Sequence, residues 1–304
     1  MQKGFVTALV RSQKVPSGVR GRTGAGPTVS ISKGSVMRLS RRAALTGAAF
    51  ALLGAAIVPG VAMASDGHGH SQQAELPKPT IVLVHGAWAD SSSWNAVMTR
   101  LRADGYPVRA ISDPLQGLTS DSEYVSSYLS TIPGPVVLVG HSYGGAVITN
   151  AAAIDPKVES RVKSLVYIAG FIPVTGESVG DLAKRSPDLP LDYTAVPGGT
   201  EASIKPANFR ETFAGDVDAV TAANMAATQR PANTNAVTDP STYEAFRTIP
   251  SWDLITRDDH AIAPDAQRFM AERANAHVTE VNGSHAVMVS HPDAVTKIIE
   301  QAAR

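Results

Sequence analysis

From Pro79 onward, apolar runs alternate with segments of helical spacing. Thr80–His85 is a continuous apolar stretch and reads as a strand. Ser92–Asp104 follows, with Trp94, Val97, Met98 and Leu101 on one helical face. Pro107–Ile111 is a short strand. Ser122–Leu129 is helical, with Ser120 or Asp121 available as its cap. Pro135–Gly140 is the next strand, and Tyr143–Ala153 a helix of mostly small residues. Val162–Ala169 is a further strand. After a break the alternation resumes as strand Trp252–Thr256, helix Pro264–Asn275, strand Val278–Val281 and helix Pro292–Ala303.

Strands that are apolar throughout need both faces covered, and helices between them supply the cover. The pattern predicts an α/β fold with a doubly wound, mostly parallel sheet, because right-handed crossovers place helices on either side. Between Ile172 and Pro250 the rhythm breaks, with prolines at 173, 187, 190, 197, 206, 231 and 240. Short helical pieces fit Asn208–Ala214 and Val217–Ala227, and no strand pattern is convincing. Residues 172–250 therefore read as an inserted helical cap within an α/β domain spanning 79–304. Asp253 is out of place in its apolar strand and is expected at the strand's start or on a sheet edge.

In such a sheet ligands bind at the carboxyl ends of the strands, so the residues just past each strand are the ones that matter. Gly140-His141-Ser142-Tyr143-Gly144 lies between a strand and a small-residue helix. A sharp turn there would lift the Ser142 hydroxyl from the sheet, and Gly140 and Gly144 leave room for it. A serine needs a base in contact to act as nucleophile. His285, in Asn282-Gly283-Ser284-His285, follows the last strand and is the best-placed histidine. Asp259 follows the strand before and can orient that base. Asp258 is the alternative, since adjacent carboxylates on an extended chain point oppositely. A developing oxyanion needs about two N–H donors. Tyr143 should supply one and Ala87 the other, with Trp88 second to Ala87. The side chains of Trp88 and Tyr143 are expected to wall the acyl pocket, and His85 and His141 to be pocket-wall or structural groups.

Charge changes the picture at the amino end. The 304-residue chain has 27 basic and 27 acidic residues, but residues 1–64 hold nine Lys or Arg and no Asp or Glu. From Ser65 onward 18 basic and 27 acidic residues remain, a field that repels nucleic acid. Arg41-Arg42, an apolar run over Ala43–Val61 and Ala62-Met63-Ala64 together describe a cleavable export signal. The paired arginines point to the twin-arginine machinery, with Met37 as the expected start. Residues 65–78, including His68 and His70, read as a polar tether. The expected product is an exported protein, periplasmic or extracellular, with no stable membrane insertion after cleavage. There is no cysteine, which removes disulfides and a thiol nucleophile. Nothing in the chain calls for a metal or organic cofactor.

His85-Gly86-Ala87-Trp88, the Gly140–Gly145 segment, Gln229-Arg230-Pro231, Arg257-Asp258-Asp259-His260-Ala261-Ile262 and Ser284-His285 resemble the α/β-hydrolase superfamily. Within it they are similar to the branch of plant methylesterases, hydroxynitrile lyases and many bacterial esterases. The resemblance implies a Ser142–Asp259–His285 triad that cleaves small carboxylic esters through an acyl-enzyme. The lyases of that branch carry a threonine and a lysine where this chain has Val82 and Ala286, which argues against cyanohydrin chemistry. A cofactor-free perhydrolase, haloperoxidase or oxygenase could use the same three residues. A small-ligand binding protein with little turnover is the alternative from another class.

Overall fold

The computed structural model describes residues 77–304. The leader over 1–64 and all but the last two residues of the tether lie outside the described residues. Six strands form the central sheet: β1 (Thr80–Val84), β2 (Val108–Ile111), β3 (Val136–His141), β4 (Val162–Ile168), β8 (Ser251–Thr256) and β9 (His277–Val281). Their spatial order is β2-β1-β3-β4-β8-β9 and every pairing is parallel. All carboxyl ends therefore open on one rim.

The strands read as unbroken apolar runs because each face meets its own core. Val82, Val84, Leu138, Leu165 and Tyr167 pack with residues of helices Leu118–Ser130, Tyr143–Ile154 and Pro264–Arg273. Ile81, Leu83, Val137, Val139, Val166, Ile168 and Leu254 pack with helices Asn95–Ala103 and Pro292–Ala303. Full burial of each such side chain contributes roughly 1.5–3 kcal/mol. The sheet is doubly wound, as the periodicity implied.

Four local expectations are corrected. The helix read from Ser122 begins at Leu118. Asp121 does not cap it; from inside the first turn its buried carboxylate accepts from the N–H groups of Gln116 and Gly117. The cap is not wholly helical. Strands β5 (Leu191–Val196), β6 (Gly199–Ile204) and β7 (Ala232–Asn233) form an antiparallel sheet beside helices Phe209–Phe213 and Ala219–Thr228. Most of β5 is exposed, so it lacks the burial alternation that marks a strand in sequence. Finally, Asp253 is neither at a strand start nor on an edge. It is the third residue of β8, between β4 and β9, and is wholly buried.

Candidate active site

Three loops at the carboxyl rim bring the chemistry together. Ser142 follows β3 directly and stands at the N-terminus of helix Tyr143–Ile154. Its φ of 54° and ψ of −124° are unfavourable for a residue with a side chain. Close packing imposes that turn. A Cβ on Gly140 would lie 2.4 Å from the Gly144 carbonyl oxygen, and one on Gly144 would lie 2.7 Å from that of Val84. Any larger residue at either place would push the turn apart.

His285 lies past β9 with its ring fully buried. Its Nδ1 is 2.8 Å from Oδ2 of Asp259. A carboxylate oxygen only accepts, so Nδ1 donates, and whenever the ring is neutral its lone pair lies on Nε2. That nitrogen is buried and has no hydrogen-bond partner. Ser142 Oγ is not hydrogen-bonded to it here; such contacts commonly tighten when substrate binds. The two loops do meet next door, where His141 Nε2 donates to the His285 carbonyl at 2.9 Å and the two rings sit 4.7 Å apart.

Asp259 is held from every side. Its Oδ1 accepts from the N–H groups of Ala261 and Ile262, each at 2.8 Å. Its Oδ2 accepts from Thr256 Oγ1 and Gln267 Nε2 as well as from His285. Asp258 points to solvent. Of the two adjacent carboxylates the structure places Asp259 against the histidine. Thr256 and Gln267 escaped the sequence reading; the only trace was a glutamine on the apolar face of a helix.

The N–H of Tyr143 and that of Ala87 donate to no group among the described residues. The first N–H of a helix has no partner within it and carries part of the helix dipole's positive end. Trp88, the alternative to Ala87, is excluded as a donor because its N–H is bound to the Arg230 carbonyl at 3.0 Å. Trp88 sits at φ 60°, half-buried, and its indole Nε1 donates to the Ala202 carbonyl of β6. Gln229 clasps β6 as well, exchanging bonds with both backbone groups of Ile204. The Gln229-Arg230-Pro231 segment thus ties the cap to the loop after β1.

The other expected wall residues lie deeper. The Tyr143 hydroxyl donates to Asp121 at 2.8 Å and the ring belongs to the core, so its side chain braces the elbow from behind. Burial raises the Tyr143 phenol well above its ordinary range, with Asp113 and Asp121 adding to the effect. The His85 ring is fully buried, Nδ1 bonding to the Gly86 carbonyl while Nε2 accepts from the Asp113 N–H. Burial lowers its pKa to about 4. His141 is likewise buried and pushed well below the usual histidine range, first by burial and then by His285. Both rings are wholly buried and hydrogen-bonded to backbone groups of neighbouring loops.

The sequence profile of the alpha/beta hydrolase family matches residues 81–298, which takes in all three loops. The chain belongs to the alpha/beta hydrolase family. Among relatives of this alpha/beta hydrolase, one named alpha/beta hydrolase nvfD from Aspergillus novofumigatus is 28% identical over 246 residues, covering 74% of this chain and 97% of its own. A carbendazim hydrolyzing esterase from a Nocardioides species is 31% identical over 126 residues, 38% of this chain and 50% of that protein. The crystal structure of polyneuridine aldehyde esterase superposes with a TM-score of 0.65 at 18% identity, covering 75% of this chain and 100% of that one. The last likeness is one of fold. Relatives of this alpha/beta hydrolase include further proteins named esterases, among them methylesterase 8 from Arabidopsis thaliana, 25% identical over 221 residues.

Among the described residues of the alpha/beta hydrolase, no group of three His, Asp or Glu side chains could hold a metal ion. Among them no helix is long and apolar enough to cross a membrane.

Proposed function

We propose that the chain cleaves carboxylic esters of small molecules through an acyl-enzyme on Ser142, with His285 as base and Asp259 as its orienting carboxylate. The observation that carries the proposal is the buried Asp259–His285 hydrogen bond, which leaves Nε2 of an imidazole that packs on His141, next to the strained Ser142 turn, without a partner. In this reading Nε2 of His285 takes the Ser142 proton as Oγ attacks the ester carbonyl. The Tyr143 and Ala87 N–H groups hold the oxyanion, aided by the dipole of helix Tyr143–Ile154. His285 returns the proton to the departing alkoxide, then activates the water that frees the acid. Trp88, half-buried and bound to the cap, supplies part of the pocket wall.

A fluorophosphonate, read by intact mass, tests the nucleophile. Stoichiometric labelling that disappears in Ser142→Ala, together with loss of chromogenic-ester turnover, is the expected result. An unlabelled wild-type protein would sink the proposal and favour ligand binding. The export reading rests on Arg41-Arg42 and Ala62-Met63-Ala64. N-terminal sequencing of the exported protein should begin at Ser65 or a near neighbour.

A further inference from the structure

His285 is flanked by two residues that are both fastened to the cap. On one side, the Ala286 N–H donates to the Phe213 carbonyl at 2.8 Å. The Phe213 ring stands edge-on to the His285 ring, 4.8 Å between centroids. On the other side, Asp216 holds Ser284 twice. Its Oδ1 accepts the Ser284 hydroxyl, and its Oδ2 accepts the Ser284 N–H at 3.2 Å. Oδ2 also lies 3.2 Å from Nε2 of His291, which heads the last helix. Phe213 and Asp216 are three residues apart in the cap, so one short segment grips the chain immediately before and after the histidine.

Nothing in the ester-cleaving scheme uses Asp216. It lies apart from the acid and oxyanion groups, and its side chain is 29% exposed. Burial would raise its pKa, but hydrogen bonding, from the Ser284 side chain first and then from Ser290 and backbone N–H groups, outweighs that and holds the carboxyl below its ordinary range. It is therefore an ionised acceptor aimed at a backbone N–H and a hydroxyl, the stronger kind of hydrogen bond. Bonds of that kind fasten the loop at Ser284, next to Gly283, which packs so closely on the His291 ring that a Cβ there would lie 3.0 Å from it.

We propose that Asp216 is a positioning residue, which through Ser284 fixes the loop carrying His285 and so makes the cap set where the base stands. This rests on His285 being the base. One short cap segment, Phe213 to Asp216, thus reaches the chain on both sides of His285. A displaced base loses rate steeply, about 10²-fold for an ångström of misplacement.

The test is the ester kinetics and the fluorophosphonate labelling rate of Asp216→Ala, Asp216→Asn and Ser284→Ala, with thermal unfolding alongside. Asp216→Ala should lower kcat by about tenfold or more with KM within about twofold, because the base moves and the substrate surface does not. Labelling of Ser142 should slow by the same factor. Asp216→Asn, which retains an oxygen to accept the Ser284 hydroxyl, should recover most of the loss. If Asp216→Ala unfolds below the assay temperature, Ser284→Ala takes its place with the same expectation. A kcat within twofold of wild type and unchanged labelling would overturn the proposal, as would a loss carried by KM. A wild-type protein that neither labels nor turns over ester would instead strike the Ser142 reading itself.

Discussion

Nδ1 of His285 stands 2.8 Å from Oδ2 of Asp259, and neither side chain has any exposed surface. Out of water, that bond orients the ring, and in the proposed mechanism it would set a carboxylate against the imidazolium that forms. Asp259→Asn keeps the shape but can present an N–H to Nδ1, which turns the ring's lone pair away from Ser142. It should lower kcat by about 10³- to 10⁴-fold with little change in KM. Asp258→Asn, at an exposed neighbour, should stay within about twofold of wild type. Steady-state kinetics on one chromogenic ester separates the two carboxylates, and equal losses would refute the assignment.

Trp88 joins the loop after β1 to the cap through its indole bond to Ala202. Trp88→Phe keeps an aromatic surface and removes that bond, worth about 1 kcal/mol. The expected outcome is a KM raised several-fold and a shifted preference among acyl lengths, with kcat less affected. A kcat loss at constant KM would instead mean that Trp88 holds the loop of the proposed oxyanion donor Ala87.

His85 makes stability depend on pH in a defined window. Its folded pKa lies near 4, lowered chiefly by burial, against about 6.5 for an unfolded chain. Above 6.5 neither state binds the proton. As pH falls from there toward 4 only the unfolded chain takes it up, so stability declines across that interval by about 3 kcal/mol and then levels off. His141 acts in the same direction. His85→Gln should be less stable than wild type at pH 7.5, with a shallower decline toward pH 4.5. Urea midpoints at the two values decide it; parallel declines would show that His85 does not carry the effect.

Most of this architecture can be read from the chain alone, for a physical reason. β1, β3 and β4 are covered on both faces, so they appear as unbroken apolar runs. The parallel order puts Ser142, Asp259 and His285 just past three strands on one rim. Each is therefore flagged by its distance from a strand end. What the sequence hides is whatever depends on contact across the fold. Gln267 reaches Asp259 from a helix, and Asp216 reaches Ser284 from 68 residues away in the cap. No local spacing marks either pair. Strand β5 is hidden differently: it pairs with β6 but buries little, and pairing without burial leaves no hydrophobic rhythm.

Asp253 is the residue whose removal should improve the protein. It stands in β8 between Tyr167 of β4 and Val278 of β9, wholly buried, and neither carboxyl oxygen has a partner. Burial alone pushes its pKa well above the ordinary range. Below about pH 4 both folded and unfolded chains hold the proton and the ionisation part of the penalty vanishes. As pH rises the unfolded chain ionises while the fold cannot, so stability is lost progressively up to the folded pKa. Valine suits an interior strand with apolar neighbours and carries no charge. Asp253→Val should therefore stabilise the protein by about 1–4 kcal/mol at neutral pH, a gain of several degrees in Tm. The advantage over wild type should be larger at pH 8 than at pH 5. Thermal unfolding at both values measures it, and an advantage that shrinks as pH rises would mean that the carboxylate is ionised and compensated within the fold.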